Sequence, residues 1–292
     1  MDLTSPQTIR YIKNKYGFNT SKGLGQNFLC DAGVIEQITA AAQLGKTSGA
    51  LEIGPGIGVL TTALASAAKK VVAIELDTRL LPVLDETLAE HDNISIINQD
   101  VLKCDLAALC AEHFSDCTNI SIAANLPYYI TTPILTSILE NTDLDIDNIV
   151  VMVQKEVGLR LCAAPGCKDY SALTVLVAYH SNAEIITTVP AASFMPPPKV
   201  DSAVVRLAMH KGGKAVAPVS EKLFFQTVKA AFGQRRKTLL NALCGFGGFN
   251  LSKDEFREII AGLGWSENVR GEQLGQQEFC ALSDSIGAAR QG

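Results

Sequence analysis

The sequence predicts an α/β protein in which a doubly wound, mostly parallel sheet precedes a small all-α domain. Three observations point there. Between residue 31 and about residue 180, short apolar runs rich in β-branched residues alternate with stretches of helical composition. A glycine-rich turn, Gly54-Pro55-Gly56-Ile57-Gly58, follows the first of those runs. Beyond residue 218 the apolar period becomes helical and no strand-like run remains.

The elements follow in order. Asp31 suits the N-cap of a helix whose Val34, Ile35, Ile38, Ala41 and Ala42 form one apolar stripe. Strands are expected at Ala50–Ile53, Val71–Ile74, Ile94–Ile97, Ser121–Ala124 and Ile149–Val153, short enough and apolar enough to be covered on both faces. Helical segments such as Val59–Ala68 and Arg79–Ala89 lie between them, which demands right-handed crossovers. Glu184–Val189 and Ser202–Met209 read as two further strands, separated by Pro196-Pro197-Pro198. The stretch 210–218, with Gly212-Gly213 and Pro218, is a linker. Leu223, Phe224, Val228, Ala231 and Phe232 then make one helical stripe, and Phe256, Ile259, Ile260 and Leu263 another. The expected domains are therefore 1–209 and 219–292.

Composition narrows the class. At 292 residues, 47% hydrophobic and 19% charged, the chain is globular, with no apolar run long enough for a membrane helix. Its first residues lack the apolar core of a secretory signal, so a cytoplasmic protein is expected. The eight cysteines include no CxxC pair, and the four histidines do not cluster with them. Neither a structural metal nor a disulfide framework is expected. The net charge of −5 is unevenly spread. Residues 1–30 carry Arg10, Lys13, Lys15 and Lys22 against Asp2, and residues 199–240 carry nine basic side chains against Asp201 and Glu221. Such segregation allows a positive face on an acidic protein, or two merely solvated surfaces.

The glycine turn is a nucleotide-type loop without the dinucleotide fingerprint, because Val59 and Thr61 stand where its third glycine would be. Glu75 ends the second strand 21 positions after Gly54, where a carboxylate can hold both hydroxyls of a ribose. Asp100 ends the third strand and is placed to accept from an adenine amine of a cofactor. Gly54, Glu75 and Asp100 thus occupy three successive carboxyl ends of strands, the edge at which open α/β sheets bind ligands.

The fourth strand ends in Asn125-Leu126-Pro127-Tyr128 at the same edge. An exocyclic adenine amine is a poor nucleophile, since its lone pair is delocalised into the ring. The Asn125 side-chain oxygen and the Leu126 carbonyl can accept its two hydrogens and favour the pyramidal form. Pro127 stiffens the turn. Tyr128 offers a face on which an extruded base can stack, worth about 1–3 kcal/mol. Phe194, before the prolines, can either cover the other face of the base or anchor a rigid loop in the core.

These residues resemble the ribosomal RNA adenine dimethylases of the kasugamycin-sensitivity type. The resemblance spans nearly the whole chain. It includes Gly25-Gln26-Asn27-Phe28-Leu29, the Glu52–Gly58 loop, Glu75, Asp100, Asn125-Leu126-Pro127-Tyr128 and Gln154-Lys155-Glu156-Val157. It continues through the 194–203 stretch and Ala231–Leu239, which contains Arg235-Arg236-Lys237. It implies a Rossmann-like class I S-adenosylmethionine-dependent methyltransferase with a small helical C-terminal domain, needing no metal. It further implies dimethylation of two adjacent adenosines in the 3′-terminal hairpin loop of small-subunit (16S) rRNA. The expected partner is an immature 30S particle, met by a monomer through Arg235, Arg236 and Lys237. By the same resemblance Asn27, Leu29, Gly54, Glu75, Asp100 and Asn125 line the cofactor site. Three other readings stand beside it. One is the macrolide-resistance branch, which acts on large-subunit rRNA and tends to be strongly basic, unlike a chain of pI about 5.5. The second is a non-catalytic ribosome-assembly factor. The third is a nicotinamide oxidoreductase, disfavoured by Val59.

Overall fold

The computed structural model describes residues 1–17, 26–211 and 213–290; Lys22, Gly25 and Gly212 lie outside them. By compactness the chain divides into two units. The first holds Met1–Gly158 and Asn182–Lys211, and the second Leu159–Ser181 and Gly212–Gly292. The expected first domain runs unbroken to residue 209, but residues 159–181 pack with the C-terminal helices instead. Their apolar side chains explain the difference, because Tyr170, Val175 and Tyr179 belong to the second unit's core.

In the first unit, α1 (Pro6–Tyr16) starts on Ser5, whose side chain accepts from the Gln7 N–H, and stops at Gly17 in the left-handed region. Ile9 and Ile12, one turn apart, bury its inner face beside Phe28, Ile57, Leu80 and Val83. Next come β1 (Phe28–Leu29) and α2 (Ala32–Ala41), the helix capped as expected by the Asp31 carboxylate on the N–H groups of Gly33 and Val34. Strand β2 (Ser48–Ile53), helix α3 (Val59–Ala67) and strand β3 (Lys70–Glu75) form the first crossover. Helix α4 (Leu81–Thr87), β4 (Ile94–Asn98), α5 (Leu106–His113), β5 (Asn119–Asn125), α6 (Thr131–Leu139) and β6 (Asn148–Gln154) continue the alternation.

After α7 (Lys155–Leu161) and α8 (Ala172–His180), the chain returns through β7 (Ser181–Val189), β8 (Phe194–Met195) and β9 (Ser202–Met209). The main sheet runs β4-β3-β2-β5-β6-β9-β7. The pairs from β4 to β6 are parallel, and β9 is antiparallel to β6. All residues of β2 and the inner residues of β5 and β6 are buried, as continuous apolar runs covered on two faces require. Strand order reverses between β2 and β5, so the crevice beyond their carboxyl ends is the topological switch point. A second, two-stranded sheet pairs β1 with β8, setting Leu29 opposite Phe194.

The second unit adds α9 (Glu221–Gly233), α10 (Leu239–Phe246), α11 (Lys253–Gly262) and α12 (Gln276–Ala289). Both helical stripes expected there face one core that contains Phe224, Val228, Phe256 and Ile260, with Phe249 and Phe279 between them. Among the described residues no helix is long and apolar enough to cross a membrane.

Candidate active site

A cleft opens at the carboxyl ends of β2, β3 and β5. Asn27, Leu29, Gly54, Glu75, Asp100, Asn125, Leu126, Pro127 and Tyr128 all line it. The floor is the turn from β2 into α3. Gly54 (φ +73°) and Gly58 (φ +90°) both adopt backbone that side chains rarely tolerate. A Cβ on Gly58 would also meet Leu88 Cδ2 at 2.9 Å, so this position must be bare for the loop to pack on the segment after α4. Gly54 faces open space, with nothing within 4 Å of an added Cβ. A ligand can therefore approach its backbone closely.

Glu75 stands behind the loop, only 6% exposed. One carboxylate oxygen accepts from the Gly56 N–H at 3.2 Å and the other from the Asp77 N–H at 2.7 Å. Burial pushes its carboxyl above the ordinary range, while those two N–H groups pull the other way. Asp77 is itself fixed by Arg79 and by the Gln26 side chain, which donates to it at 2.9 Å. The Arg79 guanidinium, bonded to Asp77, holds the Asp77 carboxyl below its ordinary range. On the next strand end, Asp100 turns back on the Leu102 N–H at 3.1 Å, capping a short 3-10 turn. Its carboxylate lies within 4.0 Å of the exposed Lys103 ammonium.

At the end of β5, the Asn125 side-chain NH₂ donates to the Asn27 carbonyl at 3.2 Å. That bond orients the amide and leaves its oxygen as the acceptor at the cleft. The Leu126 N–H is tied to Met152 at 3.2 Å, so β6 anchors the loop. The Ile130 N–H and the Thr131 hydroxyl both donate to the Pro127 carbonyl, and neither takes that of Leu126. The Tyr128 hydroxyl shares a 2.7 Å hydrogen bond with Ser202, so the ring is held at both ends of the side chain. Burial raises its phenol above the ordinary value. The neighbouring Tyr129 is the exposed aromatic of the loop, at 58%.

Two expected site residues are engaged within the protein itself. Phe194 is 4% exposed and packs among Leu29, Ile38, Met152 and Val204. In the pairing of β8 with β1 it stands opposite Leu29, and its burial fits the core-anchor reading named above. Arg235 is not a free cation. Its guanidinium donates to the carbonyls of Lys168, at 2.7 Å, and Tyr170, at 3.2 Å, and lies 3.7 Å from Glu272, all within the second unit. Arg236 and Lys237 are exposed, with no carboxylate partner among the described residues. The cleft is lined by further residues not expected there, among them Gln26, Glu52, Leu76 and Gln99. Gln26 and Glu52 sit inside motifs already singled out, while Leu76 and Gln99 adjoin Glu75 and Asp100. Adjacency is the signal for Gln26, Leu76 and Gln99, whereas Glu52 also stands out as an acid within an apolar strand.

The model of the family described as ribosomal RNA adenine dimethylase matches residues 17–268. A ribosomal RNA small subunit methyltransferase A of Bacillus mycoides is 48% identical over 286 residues, covering 98% of this chain and 97% of that protein. The protein of that name from Bacillus thuringiensis is 47% identical over 287 residues, with the same coverage. Among solved structures, a dimethyladenosine transferase from Plasmodium falciparum aligns with a TM-score of 0.71 and 25% identity, covering 87% of this chain and 95% of that one. The 23S rRNA methyltransferase ErmE aligns with a TM-score of 0.68 and 25% identity, covering 89% and 100%. The fold is that of the class I S-adenosylmethionine-dependent methyltransferases.

Proposed function

The chain belongs to the ribosomal RNA adenine dimethylase family, and from that premise we propose that it dimethylates the N6 amines of two adjacent adenosines in the 3′-terminal hairpin loop of 16S rRNA. In this reading it works as a monomer in the cytoplasm, on an immature 30S particle, with S-adenosylmethionine as methyl donor and no metal. The small subunit is favoured over the large one because identity is 48% to a small-subunit enzyme and 25% to the 23S enzyme.

The residues of the cleft fit the cofactor. Glu75 offers a carboxylate held by two backbone N–H groups, the Gly54 backbone faces open space, and Asp100 stands one strand further on. Glu75 would take the ribose hydroxyls and Asp100 the adenine amine, with Asn27 and Leu29 closing the near wall. S-adenosylmethionine supplies an activated methyl group on a sulfonium.

One observation carries the catalytic reading: the Asn125 NH₂ is spent on the Asn27 carbonyl, so its oxygen is the group available to a substrate amine. Together with the Leu126 carbonyl it takes the two amine hydrogens and directs the nitrogen lone pair toward the methyl donor. Tyr128, fixed through Ser202, supports the target base. The proton that the methylated amine must shed goes to solvent, so no residue in this scheme has to change protonation state and the contribution is positioning and electrostatics. The direct test is labelled methyl transfer to 30S particles lacking this modification, followed by nucleoside analysis. N6,N6-dimethyladenosine in small-subunit rRNA is the expected product, and methylation confined to other RNA would overturn the reading.

Arg236 and Lys237 are the cations proposed to hold RNA phosphates, whereas Arg235 is engaged inside its own unit. Replacing Arg236 and Lys237 with Gln should weaken particle binding and flatten the plot of log affinity against log salt by about one to two units. Titrations across a range of KCl concentrations check this. The further change of Arg235 to Gln should instead lower thermal stability, since two carbonyls lose their donor.

A further inference from the structure

The turn after β5 carries two consecutive aromatic residues, and the scheme above uses one of them. Tyr128 is half-buried, with its hydroxyl tied to Ser202 at 2.7 Å. Tyr129 is 58% exposed and lines the same cleft. Among the described residues its hydroxyl has no hydrogen-bond partner and its ring meets no other ring or cation. The other exposed tyrosine, Tyr11, lies beneath the Lys15 ammonium, 5.8 Å from its ring centre.

The turn is built so that its two rings have different fates. The Ile130 N–H donates to the Pro127 carbonyl at 3.1 Å, closing a four-residue turn with Tyr128 and Tyr129 at its corners. Both sides of the turn are clamped. The Leu126 N–H is bonded to Met152 on β6, and the Thr131 hydroxyl donates to the Pro127 carbonyl at 3.1 Å as α6 begins. The Tyr129 backbone is therefore fixed, while its side chain is left to whatever enters the cleft. A single exposed ring needs no explanation in itself. This one stands on a pinned turn, three residues from one proposed amine acceptor and four from the other's strand end, at the mouth of an adenine-directed site.

We propose that Tyr129 positions the RNA by stacking on the base next to the one being methylated, so that Tyr128 supports the target and Tyr129 its neighbour. The inference rests on the adenine-directed reading of the cleft and names a substrate contact within it. To bring its amine to Asn125 and Leu126, an adenine must leave its stack. Its departure uncovers a face of the neighbouring base, which stays at the cleft mouth. An aromatic ring one residue along from the target's support is placed to cover that face. Stacking tolerates any base, because every base has a π-face. An enzyme that admits two adjacent adenosines in turn needs a contact of that kind. Hydrogen bonds to the edge of a flanking base would favour one register and disfavour the other.

Two measurements test the proposal. In methyl transfer to unmethylated 30S particles, Tyr129→Ala should lower kcat/KM by about 10–100-fold, the range for loss of one base stacked on an aromatic. Tyr129→Phe should stay near wild type, since the ring and not the hydroxyl does the stacking. S-adenosylmethionine affinity should be unchanged. A matching loss of cofactor affinity would assign the ring to the cofactor and overturn the proposal.

The second measurement needs no turnover. It compares wild type and Tyr129→Ala in binding hairpin RNAs whose loop holds one adenosine between two guanosines, which fixes the register. Each flanking base is then removed in turn to leave an abasic nucleotide. The variant should bind the intact loop about tenfold more weakly, and the two proteins should bind alike once the stacked base is gone. An equal penalty on all three RNAs, or none on any, would overturn the proposal. A wild type that forms no dimethyladenosine on 30S particles would remove the assigned function instead, while the hairpin comparison still judges the stacking.

Discussion

Asn125→Ala is expected to lower the methylation rate about 10²–10³-fold at saturating S-adenosylmethionine, the range seen when one preorganised polar group leaves an active site. The Asn125 amide is aimed by its bond to the Asn27 carbonyl, and the loop behind it is pinned to Met152 on β6. Removing the side chain deletes one of the two acceptors proposed for the amine hydrogens but leaves the Leu126 carbonyl and the Tyr128–Ser202 pair in place. RNA docking should survive, because the cations proposed for it, Arg236 and Lys237, lie in the other unit. The loss should therefore appear in single-turnover rate and not in particle affinity. Asn125→Asp provides a control, since it keeps the acceptor oxygen but loses the NH₂ that Asn27 orients. A rate near wild type for the Ala variant would reduce Asn125 to a turn residue and remove the proposed mechanism.

The central sheet is legible in the sequence because strands buried on both faces must be mostly apolar, and the inner residues of β2, β3, β5 and β6 are, with Glu52 and Ser121 the exceptions. The ligand edge follows from that, since Gly54, Glu75, Asp100 and Asn125 recur at successive strand ends. Helix α1 is absent from the expected elements, although its signals are present. Ser5 before Pro6 is a helix start, and Ile9 and Ile12 lie on one face. Eleven residues with two buried apolar positions give too weak a stripe to stand out among Arg10, Lys13 and Lys15.

The Phe194 and Arg235 cases share a different cause. Each role depends on a tertiary partner far away in sequence: Leu29 across a two-stranded pairing for Phe194, and the carbonyls of residues 168 and 170 for Arg235. Local pattern carries no trace of such partners. The same holds for residues 159–181, whose strand–helix context suggests the first domain while their apolar faces fit the second. Glu52 is the converse case. An acid inside a strand buried on both faces contradicts the apolar pattern around it, and that local contradiction is a signal the sequence carries on its own.

The remaining large effect belongs to Glu75. Glu75→Ala should weaken S-adenosylmethionine binding by about 10–100-fold, the value of a charged hydrogen bond to a ligand. Two contributions combine. The ribose acceptor is lost, and the N–H groups of Gly56 and Asp77 lose the carboxylate that now holds the glycine loop against β3. Glu75→Gln separates them, because an amide oxygen can still accept one N–H while the charge is gone. Acidity provides the second readout. Burial raises the Glu75 carboxyl above its ordinary 4.5, and in the proposed reading the ionised form holds the cofactor. Wild-type affinity should thus be full at neutral pH and fall on acidification through a value above 4.5, whereas the Gln variant should be weaker throughout and lack that fall. Calorimetric titration of both proteins between pH 4.5 and pH 7.5 decides it. Equal affinities in folded protein would place the ribose elsewhere in the cleft and leave Glu75 as a strut for the loop alone.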